Sequence, residues 1–496
     1  METKLIMISN QDNVAVALTK LNKGETAMIL GREIALKQDI PFGHKVALRD
    51  FEIDENIIKY GMPIGHATAF ISEGDHVHTH NIKTNLSGII DYKYNKSPVS
   101  FPGAQKKRTF SGYVRNDGRV GIRNEVWIIP TVGCVNQTAS ILQQKGREIF
   151  QGQVDDIRAF THNMGCSQLT DDHERTQQIL KGIVNNPNAG AVLILSLGCE
   201  NNNLKEFIPV LGDYDKNRVK FLVTQEVEDE YEAGMDLLQD LVTYASGFKR
   251  EQVGVDKLVV GFKCGGSDAF SGITANALCG RINDIVVKQG GSTILTEVPE
   301  MFGAETILMN RTVNEEIFAK TVTLINNFKN YFKKYNQTIY ENPSPGNKEG
   351  GVSTLEEKSL GCIQKGGLAP VTDVLDYGQQ VVKPGLNLLT GPGNDQVSCT
   401  NLVASGAVMI LFTTGRGNPF GAPVPTVKIA SNSSLYERKK NWIDYNAGVV
   451  LDGKTLEQAE EELFSYLLSM ASGEVKTRNE ENDYKEISIF RDGVIL

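Results

Sequence analysis

The 496-residue chain has no apolar run that could cross a membrane: the longest, residues 191–197, is far short of the ~18–20 residues a spanning helix needs. Its first thirteen residues lack the charged, apolar and small-residue succession of a signal peptide, so a cytoplasmic protein is expected. Basic charge is not in excess. The net charge of −9 disfavours a nucleic-acid partner held through phosphates, although a local basic cluster could still hold a small anionic substrate. Seven cysteines are too few, and odd in number, for a disulfide scaffold, which leaves them as thiols, ligands or nucleophiles. No CxxC occurs, which argues against a zinc knuckle. No loop has Walker spacing, and no GxGxxG follows a strand with an acid downstream, so a nucleotide site is not supported. What remains, 40% hydrophobic and 22% charged, is ordinary for a globular protein of about three domains.

Residues 1–92 read as a small β-rich unit of short apolar runs separated by Gly, Asp and Pro turns. Residues 93–110 lose periodicity and turn to Lys, Ser, Pro, Gly and Gln, which predicts a linker. From 111 to 250 the pattern is apolar strand, glycine turn, helix, repeated, and a further α/β series fills 251–496, with a polar boundary at 249–256. Such alternation predicts βαβ units and mostly parallel sheets. Helices are expected over 134–150, 226–248, 274–287, 315–335 and 456–471, and another from Asp171, where Asp171 and Glu174 match a capping box. Residues 340–354 (YENPSPGNKEGGVST) predict a long loop, of the kind that is more often functional than decorative.

Three segments repeat one small pattern: GCVN at Gly133, GCSQ at Gly165 and GCEN at Gly198. Cys134, Cys166 and Cys199 are thus 32 and 33 residues apart, about one βαβ unit, each where a strand gives way to a helix. Strand carboxyl ends line the crevice of an open parallel sheet, and helix N-termini there favour the thiolate. Cys264 has the same setting in the next domain. Cysteines packing tight turns would give this pattern; so would a soft-ligand site for iron, zinc or an iron–sulfur cluster. Cys279 and Cys399 fall inside predicted helices and read as packing residues, and Cys362 stays unassigned.

Five of the seven histidines lie in the first unit. His76, His78 and His80 alternate, so on a strand they would share one face, as a metal or anion site or as a solvated hairpin edge. His44 follows a turn and could be a general base or cap that turn. Glu297 and Glu300 lie just past a strand, as acids, hard-cation ligands or helix-start carboxylates. Asn347-Lys348 and Arg416 put cationic groups into glycine-rich loops, a way to hold a carboxylate or phosphate.

Read in order, GHKVAL, YGMPIGHA, HVHTHN, RNEVWIIPTVGCVN, MGCSQL, LGCENN, CGGSDAFSGITAN, TEVPEMFGAE, ENPSPGNKEGG and FTTGRGNPFG make a chain that resembles the altronate/galactarate dehydratase family from end to end. The His-rich segment looks like the altronate branch. The resemblance implies an N-terminal SAF-like β-clip domain, a middle α/β domain and a C-terminal Rossmann-like parallel-sheet α/β domain. It also implies a homodimer and a divalent metal, usually Fe2+, with Mn2+ or another divalent ion and an iron–sulfur cluster as alternatives. The implied reaction is loss of water from D-altronate to give 2-dehydro-3-deoxy-D-gluconate, a step of galacturonate breakdown. Abstracting the proton beside a carboxylate needs a base, a cation where charge develops, and help for the leaving hydroxyl. On that chemistry Cys166, Cys199, Cys264 and Cys134 are candidate metal ligands, and His76 and His78 alternative ones. His44 is the candidate for proton transfer, Lys348 and Arg416 with Asn347 for the carboxylate, His80 for substrate contact, and Glu297 for ligand or acid. A galactarate dehydratase or another hydroxy-acid lyase would share the scaffold. A sugar-acid-binding regulatory protein, its cysteines only packing, is the non-enzyme alternative.

Overall fold

The computed structural model describes residues 4–97, 101 and 107–496. Two-residue glycine turns set the N-terminal β unit. Leu30-Gly31 and Tyr60-Gly61 all have positive φ and close the hairpins Thr26–Ile29/Arg32–Ala35 and Asn56–Lys59/Met62–Ala67. Such turns match the right-handed twist of the strands they join. A separate antiparallel sheet runs Leu5–Ile6, Val14–Ala17, Lys45–Ala47, His76–Val77. It places Lys45 and His76 on neighbouring strands.

The middle sheet is parallel, in the order Ile157–Ala159, Glu125–Pro130, Ala189–Ser196, Val219–Val223. Its central strands are buried along their whole length because each face covers a different core. Val126, Ile128, Leu193 and Leu195 pack with the helices Asn136–Ile149 and Glu230–Ser246. Trp127, Ile129, Val192 and Ile194 pack with Thr170–Val184, which leans on the C-terminal helix Asp395–Ala404.

The C-terminal sheet is also parallel, in the order Val371–Leu375, Gly385–Leu389, Ser292–Leu295, Val259–Cys264, Met409–Thr414, Thr426–Ala430, Tyr445–Asn446. Strand order reverses beside Val259–Cys264, so the loops after it and after Met409–Thr414 flank the crevice typical of such a switch point.

The structure departs from expectation at several places. The polar stretch 249–256, in which no strand was expected, contains one: Arg250–Gly254 pairs antiparallel with Thr109–Val114, making a neck where the chain enters and leaves the middle unit. Of the predicted linker, residues 98–100 and 102–106 lie outside the described residues. Its start is docked, with Tyr94 Oη donating to the Thr312 carbonyl and Ser97 N to that of Asn310. The Asp171/Glu174 capping box does not form. The helix starts one residue earlier, at Thr170 after an extended Leu169, and Asp171 falls within its first turn. The 340–354 segment contains the short helix Pro345–Glu349, capped by Ser344 with Asn347.

Candidate active site at the seam of two domains

His44 follows Gly43, whose φ is +80° and whose missing Cβ lets the turn lie against Phe270 and the Gly350 carbonyl. Gly351, at φ +93°, could not carry a Cβ at all, because that atom would sit 2.3 Å from the Gly43 carbonyl oxygen. This close approach brings the N-terminal sheet onto the 344–357 segment. His44, His76 and His78 converge there, with one ring nitrogen of each lying within 4.8 Å of the others.

The hydrogen bonds fix how these rings face. His44 Nε2 lies 3.1 Å from the Glu349 carbonyl, which can only accept, so Nε2 carries the proton and Nδ1 holds the lone pair. That Nδ1 is 2.9 Å from His76 Nε2. Ser353 Oγ accepts from Lys45 at 2.7 Å and so has its own proton for His78 Nδ1, 3.0 Å away. Burial pushes all three imidazoles down, helped by the charge of Lys45. His76 and His78 fall to about 3, and His44 is lowered too. At neutral pH the rings are therefore uncharged and keep lone pairs, the form in which histidine binds a metal ion. The donor set fits a divalent transition ion.

Beneath the histidines the seam is held by ions. Lys45 Nζ donates to the Gly351 carbonyl (2.8 Å) and to Glu357 (2.8 Å), and Lys59 donates to the other oxygen of Glu357 (2.7 Å), all fully buried. Burial alone would raise the Glu357 carboxyl, but the two ammonium groups outweigh it and hold it at about 2. Burial lowers Lys45, which shares its carboxylate with Lys59, to about 8. Lys45, Ser353 and Glu357 were absent from the sequence-based candidates. The one signal was a lysine inside the apolar run directly after His44.

The crevice loops close the far side. Asp268, after Val259–Cys264, accepts from Ser271 Oγ and Ser431 Oγ at 2.8 Å and from Asn432 Nδ2 at 3.0 Å, tying its own loop to the one after Thr426–Ala430. Arg416 pairs with Glu349 at 2.8 Å on the exposed rim. Lys348, half-buried, makes no side-chain hydrogen bond to any described residue. Asn347, expected to help hold substrate, is already committed: Nδ2 donates to the Ser267 carbonyl and Oδ1 accepts from Ser344. It shapes the Lys348 turn. His80 is exposed beside His76, ring centres 5.3 Å apart, because the strand ends at Val77 and the expected three-histidine face does not form.

The structure does not gather the four candidate cysteines into one set. Cys134, Cys166 and Cys199 are exposed on the middle unit, whereas Cys264 is buried at the end of a strand in the other sheet. Its Sγ lies 3.3 Å from Cys362 Sγ, 3.2 Å from Glu300 and 2.8 Å from Lys365 Nζ. Lys358 pairs with Glu300 at 2.9 Å, and Glu297 is held by Lys263 and Lys365. With an ammonium group on each carboxylate and on the Cys264 thiol, this group fits a cation poorly. Glu297, which takes a left-handed φ of 70°, is thereby closed off in an ion network of its own.

Comparison with known proteins covers the whole chain. Family models described as the altronate/galactarate dehydratase SAF domain, the D-galactarate dehydratase/altronate hydrolase second domain and the D-galactarate/altronate dehydratase C-terminal domain match residues 3–85, 112–246 and 255–495. The chain is 53% identical to an altronate dehydratase of Bacillus subtilis and 49% identical to one of Escherichia coli, covering 99% of each chain in both cases. It is 32% identical to the L-threo-forming galactarate dehydratase of Escherichia coli, over 95% of this chain and 93% of that one.

Proposed function

The chain belongs to the altronate/galactarate dehydratase family, and from that premise we propose that it is a hydro-lyase that dehydrates D-altronate to 2-dehydro-3-deoxy-D-gluconate at the histidine seam. The choice of substrate rests on one observation: identity to the two altronate dehydratases is much higher than to the galactarate enzyme. The placement of the reaction rests on neutral imidazoles of one domain lying on the Glu349 carbonyl of another, the residue after Lys348 and the ion-pair partner of Arg416.

His76 and His78 would hold the divalent ion, Fe2+ in the first instance and Mn2+ in the second. Bound there, it supplies Lewis-acid stabilisation of the charge that develops next to the carboxylate. Lys348, with Arg416 at the rim, pairs with the substrate carboxylate and fixes the sugar acid in register. With His76 given to the ion, His44 Nδ1, which His76 Nε2 otherwise faces at 2.9 Å, would take the C2 proton. Its Nε2–H is locked to the Glu349 carbonyl, so the imidazolium that forms keeps that hydrogen bond. A base must keep the proton it takes, which His76 and His78 at about 3 would do poorly. The C2–H electron pair becomes the C2=C3 bond, the C3–O bond breaks, and the departing hydroxide takes the proton from the His44 imidazolium and leaves as water. The resulting enol becomes the 2-keto acid. Asp268 and Asn347 position the loops that carry these groups. The family resemblance supports a homodimer and a cytoplasmic setting. No helix among the described residues is long and apolar enough to cross a membrane.

An anaerobic assay on metal-loaded protein tests the reading, following 2-keto-3-deoxy acid from D-altronate with galactarate run in parallel. Altronate turnover that a chelator abolishes and that His44→Asn lowers by at least ~100-fold is expected. Turnover of galactarate alone, or full activity in His44→Asn, would overturn it.

A further inference from the structure

The three exposed cysteines of the middle unit take no part in the histidine seam, yet the fold presents them together. Cys166, Cys134 and Cys199 follow three adjacent parallel strands, Ile157–Ala159, Glu125–Pro130 and Ala189–Ser196, with Cys134 on the central one. The turns that bear them are packed on one another. Gly133 N donates to the Met164 carbonyl at 2.9 Å, and Asn202 N to the Gly165 carbonyl at 3.0 Å. A Cβ on Gly165 would meet the Thr131 carbonyl oxygen at 2.0 Å, and one on Gly133 the His162 oxygen at 2.8 Å. Glycine at 133 and 165 is thus what lets these two turns lie side by side, each with an exposed cysteine.

Buried polar groups brace the three turns. Buried His162 bridges the first two turns, with Nε2 on the Pro130 carbonyl and Nδ1 accepting from Met164 N. Buried Glu200 accepts from Thr131, Ser196 and Gly198 N, fixing the third turn against the first. Gln225 Nε2 lies 3.4 Å from Cys199 Sγ as a donor. The helices Asn136–Ile149 and Thr170–Val184 begin just after these turns without a side-chain cap, leaving positive helix ends at the same rim. Among the described residues, the three thiols do not form a set with all donor atoms within 4.8 Å, the spacing that would suit one ion. Three exposed thiols on adjoining turns suit a centre in which inorganic sulfide separates several irons.

We propose that Cys134, Cys166 and Cys199 ligate an iron–sulfur cluster at the carboxyl rim of the middle sheet, a centre separate from the ion at the histidines. Three protein thiolates leave one iron without a cysteine, since Cys264 is engaged by Lys365 and Glu300 elsewhere.

The test uses the full chain, purified or reconstituted without oxygen, and measures iron, acid-labile sulfide and visible charge-transfer absorption instead of turnover. Wild type should carry sulfide in a roughly one-to-one ratio to iron. C134S, C166S and C199S should each lose sulfide and absorption, while C279S, at a buried helical cysteine, and H76A should keep both. The three serine variants alter exposed side chains, and circular dichroism checks that they fold. Wild type without labile sulfide, or a full complement of sulfide in any of the three variants, would overturn the proposal.

Discussion

Lys348 and Arg416 differ in how much of their charge is available to a ligand. Arg416 is roughly half exposed and already paired with Glu349, itself exposed, so water screens that charge and its partner competes for it. Lys348 has no hydrogen-bonding partner among the described residues and is held on a five-residue helix whose cap, Ser344 with Asn347, sets its direction. A charge-assisted bond to a carboxylate contributes about 1.5–3 kcal/mol, or roughly 10–100-fold in binding. Lys348→Met should therefore raise KM for altronate by about that factor, and Arg416→Gln by less. Steady-state kinetics on metal-loaded protein would show it. A larger effect from Arg416→Gln than from Lys348→Met would mean that the rim arginine, not the capped lysine, faces the substrate.

At the scale of elements, the helix Arg478–Glu481 fastens the C-terminal segment to the neck of the middle unit. Glu480 receives Arg123 on both oxygens, at 2.7 and 3.1 Å, and caps its own helix through Thr477 N. Burial alone would raise its carboxyl; Arg123 outweighs that and holds it at about 2, below the ordinary 4.5. A depressed native pKa contributes stability above the unfolded value and loses it as pH falls through the native one. Glu480→Gln should accordingly cost about 3 kcal/mol at pH 7, because it leaves a buried arginine unpaired. The gap to wild type should narrow between about pH 4.5 and 2, read by urea denaturation at several pH values. A gap that stays constant over that window would remove the ion pair as its cause. The elements themselves were largely legible: the helix over 456–471 falls where its periodicity put it, and the middle strands read as apolar runs because both faces are covered. Sequence failed where a contact distant in the chain decides. Asn347 reads as a ligand until Ser267 and Ser344 are seen to use it, and Cys264 reads like its three counterparts until Lys365 arrives from about a hundred residues on. Arg250–Gly254 is polar because it forms the neck with Thr109–Val114 instead of covering a core.

In the whole molecule, the proposed site draws on two regions of the chain. All three imidazoles come from the N-terminal unit, and Lys348, Asp268 and Arg416 from beyond residue 259, so neither region holds the whole proposed set. What joins them is more than a tether. Lys45 and Lys59 share Glu357, Thr84 and Asn85 donate to Glu356, and Thr354 donates to the Ile64 carbonyl. Phe51, Ile64 and Ile71 belong to the same apolar core as Leu355 and Leu360. Residues 1–97 and 107–496 produced together as separate chains should therefore co-purify and dehydrate altronate, with neither piece active alone. Glu357→Gln separates the seam from the tether, because it leaves two buried lysines without their shared carboxylate. Within one chain the two regions remain at ~mM effective concentration, so the variant should keep part of its activity. As separate chains at micromolar concentration, the same substitution should abolish co-purification. If the unsubstituted pieces fail to associate, or if Glu357→Gln weakens the split and intact forms equally, the tether and not the buried seam holds the site together.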